Sequence, residues 1–191
     1  MPIKTALSFI KQYLTKPRTV GAILPSSRYL ASKMMHGIDF TSAKCIVEYG
    51  AGTGVFTAKI LERRQPDTTV IVFENNAGFY AQLCDKFANA DNLHIIHDSA
   101  ANVGKYLKKY DYVYADYIIS GLPFASLPQA VSVKIMEQTR KYLKHSGSFI
   151  TFQYTLLKKD FIGQYFSSIG IKRELRNVPP AYVLCCRQER F

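Results

Sequence analysis

The order of apolar runs in this chain predicts an α/β fold. It is a doubly wound, mostly parallel sheet of seven strands, with an antiparallel last strand and helices on both faces. Three observations predict it. From residue 44 onward, β-rich apolar runs alternate with helical patterns, as repeated βαβ units require. The first run, Cys45-Ile46-Val47, leads through the glycine turn Gly50-Ala51-Gly52-Thr53-Gly54 into a helical pattern. The last two runs are joined through Val178-Pro179-Pro180, too short a link for a parallel crossover, so they pair antiparallel.

The strands expected in order are 44–49, 69–74, 93–97, 111–116, 147–154, 171–177 and 181–187. The clearest are Val70-Ile71-Val72-Phe73 and His94-Ile95-Ile96; Tyr112-Val113-Tyr114 reads as the fourth. Helices are expected near 54–64, 77–90, 101–109, 128–143 and 158–168. Residues 1–43 precede the sheet. Ile3, Leu7, Ile10 and Leu14 recur at helical spacing, with Lys4, Lys11, Tyr13 and Lys16 among them, and Pro17 ends the pattern. Such a short cationic amphipathic helix can lie in a membrane interface or pack on the core. A second helix, near 27–36, is expected to be capped by Ser26 or Ser27 and to end at Gly37. The 191 residues read as one domain: a helical extension, 1–43, and a core, 44–191.

Composition narrows the function. Hydrophobic residues make up 48% of the chain, yet no apolar run is long enough to span a bilayer, which suits a cytoplasmic protein. The four cysteines form no C-x-x-C and no cluster with histidine, so neither a metal site nor disulfides are expected. The net charge of +11 is unevenly spread: residues 1–40 carry +5, 41–133 carry −1, and 134–191 carry +7. Basic ends suit an anionic surface, either phospholipid headgroups or nucleic acid.

The turn V-E-Y-G-A-G-T-G, 47–54, is the strongest local signal. Gly50, Gly52 and Gly54 let backbone approach a ligand, since glycine accepts positive φ and carries no Cβ. The spacing E-x-G-x-G-x-G departs from the G-x-G-x-x-G of dinucleotide-binding turns. It resembles motif I of the class I S-adenosylmethionine-dependent methyltransferases, a Rossmann-like fold. That resemblance implies S-adenosyl-L-methionine as cofactor, with Glu48 serving its methionyl ammonium. Glu74 closes the second strand 20 residues after Gly54, where a carboxylate can accept from both ribose hydroxyls. An acid after the third strand usually accepts from the adenine amino group in this class. Asp98, with Ser99 beside it, is the candidate; the alternative is that Asp98, a residue well suited to it, caps the next helix.

Beyond the fourth strand comes Ser120-Gly121-Leu122-Pro123-Phe124, where a methyl acceptor would meet the sulfonium. Nucleic-acid amino-methyltransferases carry Asn/Asp-Pro-Pro-aromatic here, and the rRNA adenine dimethyltransferases N-L-P-Y. Ser120 stands where those have an amide, which weakens adenine as the target. Phe124 is placed either against the acceptor or in the core. Three further segments, 20–31 (V-G-A-I-L-P-S-S-R-Y-L-A), 118–128 (I-I-S-G-L-P-F-A-S-L-P) and 176–183 (R-N-V-P-P-A-Y-V), resemble the bacterial phospholipid N-methyltransferases. That resemblance implies methylation of the phosphatidylethanolamine amine by an enzyme held peripherally on the inner face of the cell membrane. By position it puts Pro25 and Ser26 in the segment covering the cofactor. It puts Arg176 and Tyr182 at the rim, where Arg176 could contact a lipid phosphate. An rRNA adenine-N6 methyltransferase, a methyltransferase of small soluble amines and a non-catalytic binding module are the alternatives.

Overall fold

The computed structural model describes residues 25–188. The helix expected over 1–14, with Lys4, Lys11, Tyr13 and Lys16, lies outside the described residues. The chain runs α1 (Pro25–Met35), β1 (Cys45–Tyr49), α2 (Val55–Arg63), β2 (Thr69–Phe73), α3 (Ala77–Lys86) and β3 (Leu93–Ile96). A 3₁₀ turn (Ala100–Asn102) then leads to α4 (Val103–Lys109), β4 (Ala115–Ser120), α5 (Gln129–Tyr142), β5 (Leu143–Gln153), α6 (Lys159–Gly163), β6 (Ser168–Glu174) and β7 (Ala181–Arg187).

The seven strands form one sheet in the order β3-β2-β1-β4-β5-β7-β6. β7 runs antiparallel to both its neighbours, and the other strands share one direction. Strand alternation sorts the core into two layers. Val47, Tyr49, Ile71, Phe73, Ile118 and Phe149 face α4, α5 and α6. Ile46, Val70, Val72, Ile119 and Ile150 face Leu30 and Met34 of α1, Ile60 of α2 and Leu83 of α3. The central strands are apolar on both faces because helices cover both.

The fourth strand is displaced from its expected place. Residues 111–116 alternate like a strand, but Asp111 turns at φ 63°, and Val113 and Tyr114 are exposed. Pairing starts at Ala115, and Tyr117–Ser120 lie against Ile46–Tyr49. Burial of Ile118 and Ile119 outweighs the β propensity of a tyrosine-rich run that finds no partner. The correction moves Asp116 to the amino end of β4. There its Oδ2 accepts from the Lys44 and Cys45 amides at 2.9 and 3.0 Å, and Oδ1 from Lys144 Nζ at 2.7 Å. Burial opposes that charge, but these partners hold the carboxyl below its ordinary value.

The chain's end differs in extent. β5 begins at Leu143, earlier than expected, with a register slip opposite Ala115–Tyr117. Gly147 sits at this irregularity, where a Cβ would collide with the Asp116 carbonyl oxygen. The helix expected over 158–168 stops at Gly163. Phe166 leaves it to stack on Phe149, and β6 starts at Ser168 rather than 171. Residues 175–177, expected in a strand, belong to the β6–β7 turn, which contains a cis Val178–Pro179 bond. Helix α1 begins at Pro25, two residues early, since a proline in the first turn forfeits no helical hydrogen bond.

Asp116→Ala leaves two backbone amides and a lysine without their acceptor. We expect a loss of about 1–3 kcal/mol in stability, read from urea unfolding.

Candidate active site

The carboxyl ends of β1, β2, β3 and β4 converge on the glycine turn. Gly50, Gly52 and Gly54 all have positive φ, at 68°, 55° and 77°. The turn is pinned on both sides. Gly50 N–H donates to the Phe73 carbonyl at 2.7 Å, and Gly121 N–H donates to the Tyr49 carbonyl at 2.8 Å. At Gly121 a Cβ would lie 2.6 Å from the Gly50 oxygen, and at Gly50 one would lie 2.7 Å from Leu122 Cδ2. The glycine turn and the Ser120–Phe124 loop therefore touch backbone to backbone. On the outer side, Lys86 Nζ caps the Thr53 carbonyl at 2.9 Å.

Glu48 is wholly buried. It shares the face of β1 that α2 covers, and its Oε2 accepts from Thr57 Oγ1 at 2.7 Å. Oε1 has no hydrogen-bond partner. Burial pushes this carboxyl up to about 7, with the nearby Glu74 adding to the rise and Thr57 opposing it. A buried carboxylate oxygen left open beside a bare backbone turn is a place for a cationic group.

Glu74 is fixed differently. Its Oε2 accepts from Gly52 N–H and its Oε1 from Asn76 N–H, both at 2.8 Å. Asn76 then caps α3 through the Gly78 and Phe79 amides, at 2.9 and 3.0 Å. Each carboxylate oxygen keeps a further lone pair for a ligand hydroxyl. After β3, the cap of the 3₁₀ turn is Ser99, whose Oγ accepts from Ala101 N–H. Asp98 instead accepts from Ser99 N–H at 2.7 Å, Asn102 Nδ2 at 2.9 Å and Tyr106 Oη at 3.0 Å. Burial works against its charge, but these donors hold it below the ordinary carboxylate value. Tyr106 in turn packs edge-on against Phe73, so Asp98 is tied to the end of β2.

The residues present fit S-adenosylmethionine. A buried acid with one open oxygen, a glycine turn and two further anchored carboxylates stand at successive strand ends. When bound, that molecule supplies an electrophilic methyl group on a sulfonium.

Ser120 is the last residue of β4 and is fully buried. Its Oγ accepts from Leu122 N–H at 3.2 Å, and its carbonyl accepts from Thr151 Oγ1 at 3.2 Å. Phe124 is also wholly buried and meets Phe149 edge-on, so it anchors the loop from within. Leu122 and Pro123 are partly exposed. In the β6–β7 turn, Arg176 bridges to Glu174 Oε1 at 3.0 Å, and its guanidinium lies 4.3 Å from the Tyr29 ring centre. Lys33 of α1 reaches the same Glu174 at 3.2 Å. Arg176 and Lys33 hold Glu174 down to about 2. Tyr182 is half-buried beneath the Arg173 guanidinium. Pro25 and Ser26 open α1. A separate cavity of about 320 Å³ is lined by residues including Lys33, His36, Ile150, Lys172, Val183 and Arg187. It includes none of the glycine-turn or Ser120–Phe124 residues.

The model of the ribosomal RNA adenine dimethylase family matches residues 4–174. The chain belongs to that family. It is an S-adenosylmethionine-dependent methyltransferase. An ornithine lipid N-methyltransferase of Singulisphaera acidiphila is 29% identical over 187 residues, 97% of either chain. Among solved structures, an rRNA methylase from Streptococcus thermophilus superposes with a TM-score of 0.63 at 14% identity, over 88% of this chain and 99% of that one. An N-methyltransferase from Bradyrhizobium japonicum WM9 gives 0.66 at 10% identity, with the same coverage. At such identities these two likenesses show the fold alone.

Sequence reading missed the residues that hold the site. Thr57 gave one signal: it is a polar residue on the buried face of α2. Asn76 had another, standing ahead of a helical pattern as a cap does. Asn102 and Tyr106 gave none, because their common partner Asp98 is a tertiary contact.

Two outcomes follow from this geometry. A raised carboxyl is destabilising once ionised, because the unfolded chain deprotonates first. The ligand-free protein should therefore lose roughly 3 kcal/mol as pH rises from about 4.5 to 7, and Glu48→Gln should flatten that slope in unfolding titrations. Gly121→Ala must push the two loops apart; about a 100-fold fall in kcat with the circular dichroism spectrum retained is expected.

Proposed function

We propose that this chain transfers methyl groups to the amine of a membrane lipid, with phosphatidylethanolamine or its partly methylated forms as the first candidate. The observation that carries the reading is the match, over 97% of either chain, to a relative named for lipid N-methylation. The acceptor loop agrees with it. The adenine-type amide is absent at 120, and the Ser120 hydroxyl is engaged with the Leu122 amide. An alkyl amine needs no planar grip on a base edge; it needs an open approach and a dry, aligned path to the methyl group.

In this reading Glu48 Oε1 pairs with the methionyl ammonium. Glu74 accepts from the ribose hydroxyls while Gly52 and Asn76 hold it still. Asp98 accepts from the adenine amino group, oriented by Asn102 and Tyr106. The contact between Gly50 and Gly121 sets the distance between the donor turn and the acceptor loop. Ser120 and Phe124 fix that loop from inside, and Leu122 and Pro123 line its open side. Rate enhancement comes mainly from alignment and exclusion of water. The amine arrives protonated and must lose a proton before it attacks.

A second reading, methylation of adenine N6 in ribosomal RNA, is favoured by the description of the matching family. The two separate in one assay. The protein is incubated with methyl-labelled S-adenosylmethionine and vesicles of anionic lipid containing phosphatidylethanolamine or ornithine lipid. Ribosomal RNA and small soluble amines run in parallel. Label in mono-, di- or trimethylated lipid is expected. Label confined to RNA or to soluble amines, with cofactor binding intact, would sink the lipid reading.

A further inference from the structure

Nine large apolar side chains are exposed among the described residues. Six of them gather at the carboxyl end of the sheet, on four different segments. Tyr29 lies in the first half of α1. Val131 lies in the first turn of α5, just after the acceptor loop. Leu156 and Leu157 follow β5, and Leu175 and Val178 form the β6–β7 turn. Leu157, Leu175 and Val178 are 67%, 64% and 65% exposed.

Topology puts the last two segments side by side. β7 is antiparallel to β5, and Gln153, where β5 ends, pairs with Tyr182, where β7 begins. The β6–β7 turn therefore emerges beside the loop that leaves β5. Tyr29 joins them, since its ring lies under Arg176 of that turn. In contrast, Val113 and Tyr114 stand before β4, at the opposite end of the sheet.

Cations surround the patch. Arg28, Lys158, Lys159, Arg173 and Arg176 lie within three residues of these side chains, where the acids are Asp160 and the already paired Glu174. A folded monomer rarely leaves this much apolar side chain clustered without a use. A second copy would bring the same positive charge against it. An anionic lipid surface supplies both an apolar phase and the opposite charge.

We infer that the 155–159 and 175–180 loops, with Tyr29 and Val131 beside them, form a membrane-inserting edge. Leu157, Leu175 and Val178 dip into the acyl boundary while the cations meet lipid phosphates. The glycine turn and the Ser120–Phe124 loop, at the same end of the sheet, then sit at headgroup level, where a lipid amine lies. This edge uses none of the residues in the 1–14 segment whose sequence pattern is amphipathic. It rests on the lipid-amine reading above for its purpose, though not for its test.

The chain contains no tryptophan, so a single introduced one reports without background. Leu157→Trp, Val178→Trp and, as the control at the far end, Val113→Trp are made in the full chain. Each is mixed with vesicles of phosphatidylethanolamine and phosphatidylglycerol. Blue-shifted emission, quenched by brominated acyl chains, is expected at 157 and 178 but not at 113. The double variant Leu157→Asp/Val178→Asp, with its melting temperature checked, should bind vesicles at least about tenfold more weakly. The inference is overturned if the protein sediments with vesicles while neither probe shifts, or if it does not bind them. It is equally overturned if the shift occurs without lipid and grows with protein concentration, which marks a self-association face. Insertion without methylated lipid would leave this edge standing and remove the lipid-amine function; methylated lipid without insertion would do the reverse.

Discussion

The pairing of β1 with β4 at their carboxyl ends is the constraint on which the site depends. Both strands stop at the same level, with Tyr49 beside Ser120. The chain then leaves each strand through a glycine, and Gly121 N–H holds the Tyr49 carbonyl. A side chain at Gly121 would wedge the two exits apart against the Gly50 carbonyl oxygen, and one at Gly50 would displace the Leu122 side chain. Tyr49 and Ser120 are fully buried beneath this junction, so the turn and the loop cannot drift independently. Two loops from distant parts of the sequence thereby act as one rigid lip.

The anchored carboxylates Asp98, Asp116 and Glu174 and the less fully satisfied Glu48 are held in two electrostatic states. Asp98 and Asp116 are buried enough to resist ionisation, yet enough donors surround them that the charged form wins. Glu174 reaches the same state through two cations. Glu48 is the exception, with one neutral donor and one open oxygen. The protein thus spends stability on an unfinished interaction at Glu48. Such a deficit is removed by a group that brings positive charge, so the cost of burying the open carboxylate oxygen becomes selectivity for a cation.

Much of this was legible from the chain alone. The βαβ alternation, the glycine turn, the carboxylates at 48, 74 and 98, and the antiparallel end all have local signatures: period, spacing or link length. Strand four was not, because Tyr112-Val113-Tyr114 has strand composition without a partner, and pairing is a property of the sheet rather than the run. The shortened helix after Lys158 has the same cause. Phe166 gains more by stacking on Phe149 than by continuing a helix. The partners of the carboxylates were hidden for a related reason: Thr57, Asn102 and Tyr106 acquire meaning only once neighbouring elements are packed.

The reversal of β7 divides responsibility along the chain. The candidate donor residues, from Glu48 to Tyr106, lie in one continuous central stretch. The reversed strand folds the last third back so that Glu174 and Arg176 clasp Lys33 and Tyr29 of α1. The early and late parts of the chain therefore meet at the β6–β7 turn, and the middle part carries the glycine turn and the Ser120–Phe124 loop. Substitutions in those outer parts leave the glycine turn and the strand-end carboxylates Glu48, Glu74 and Asp98 untouched. A scaffold divided in this way can change acceptors while keeping one chemistry.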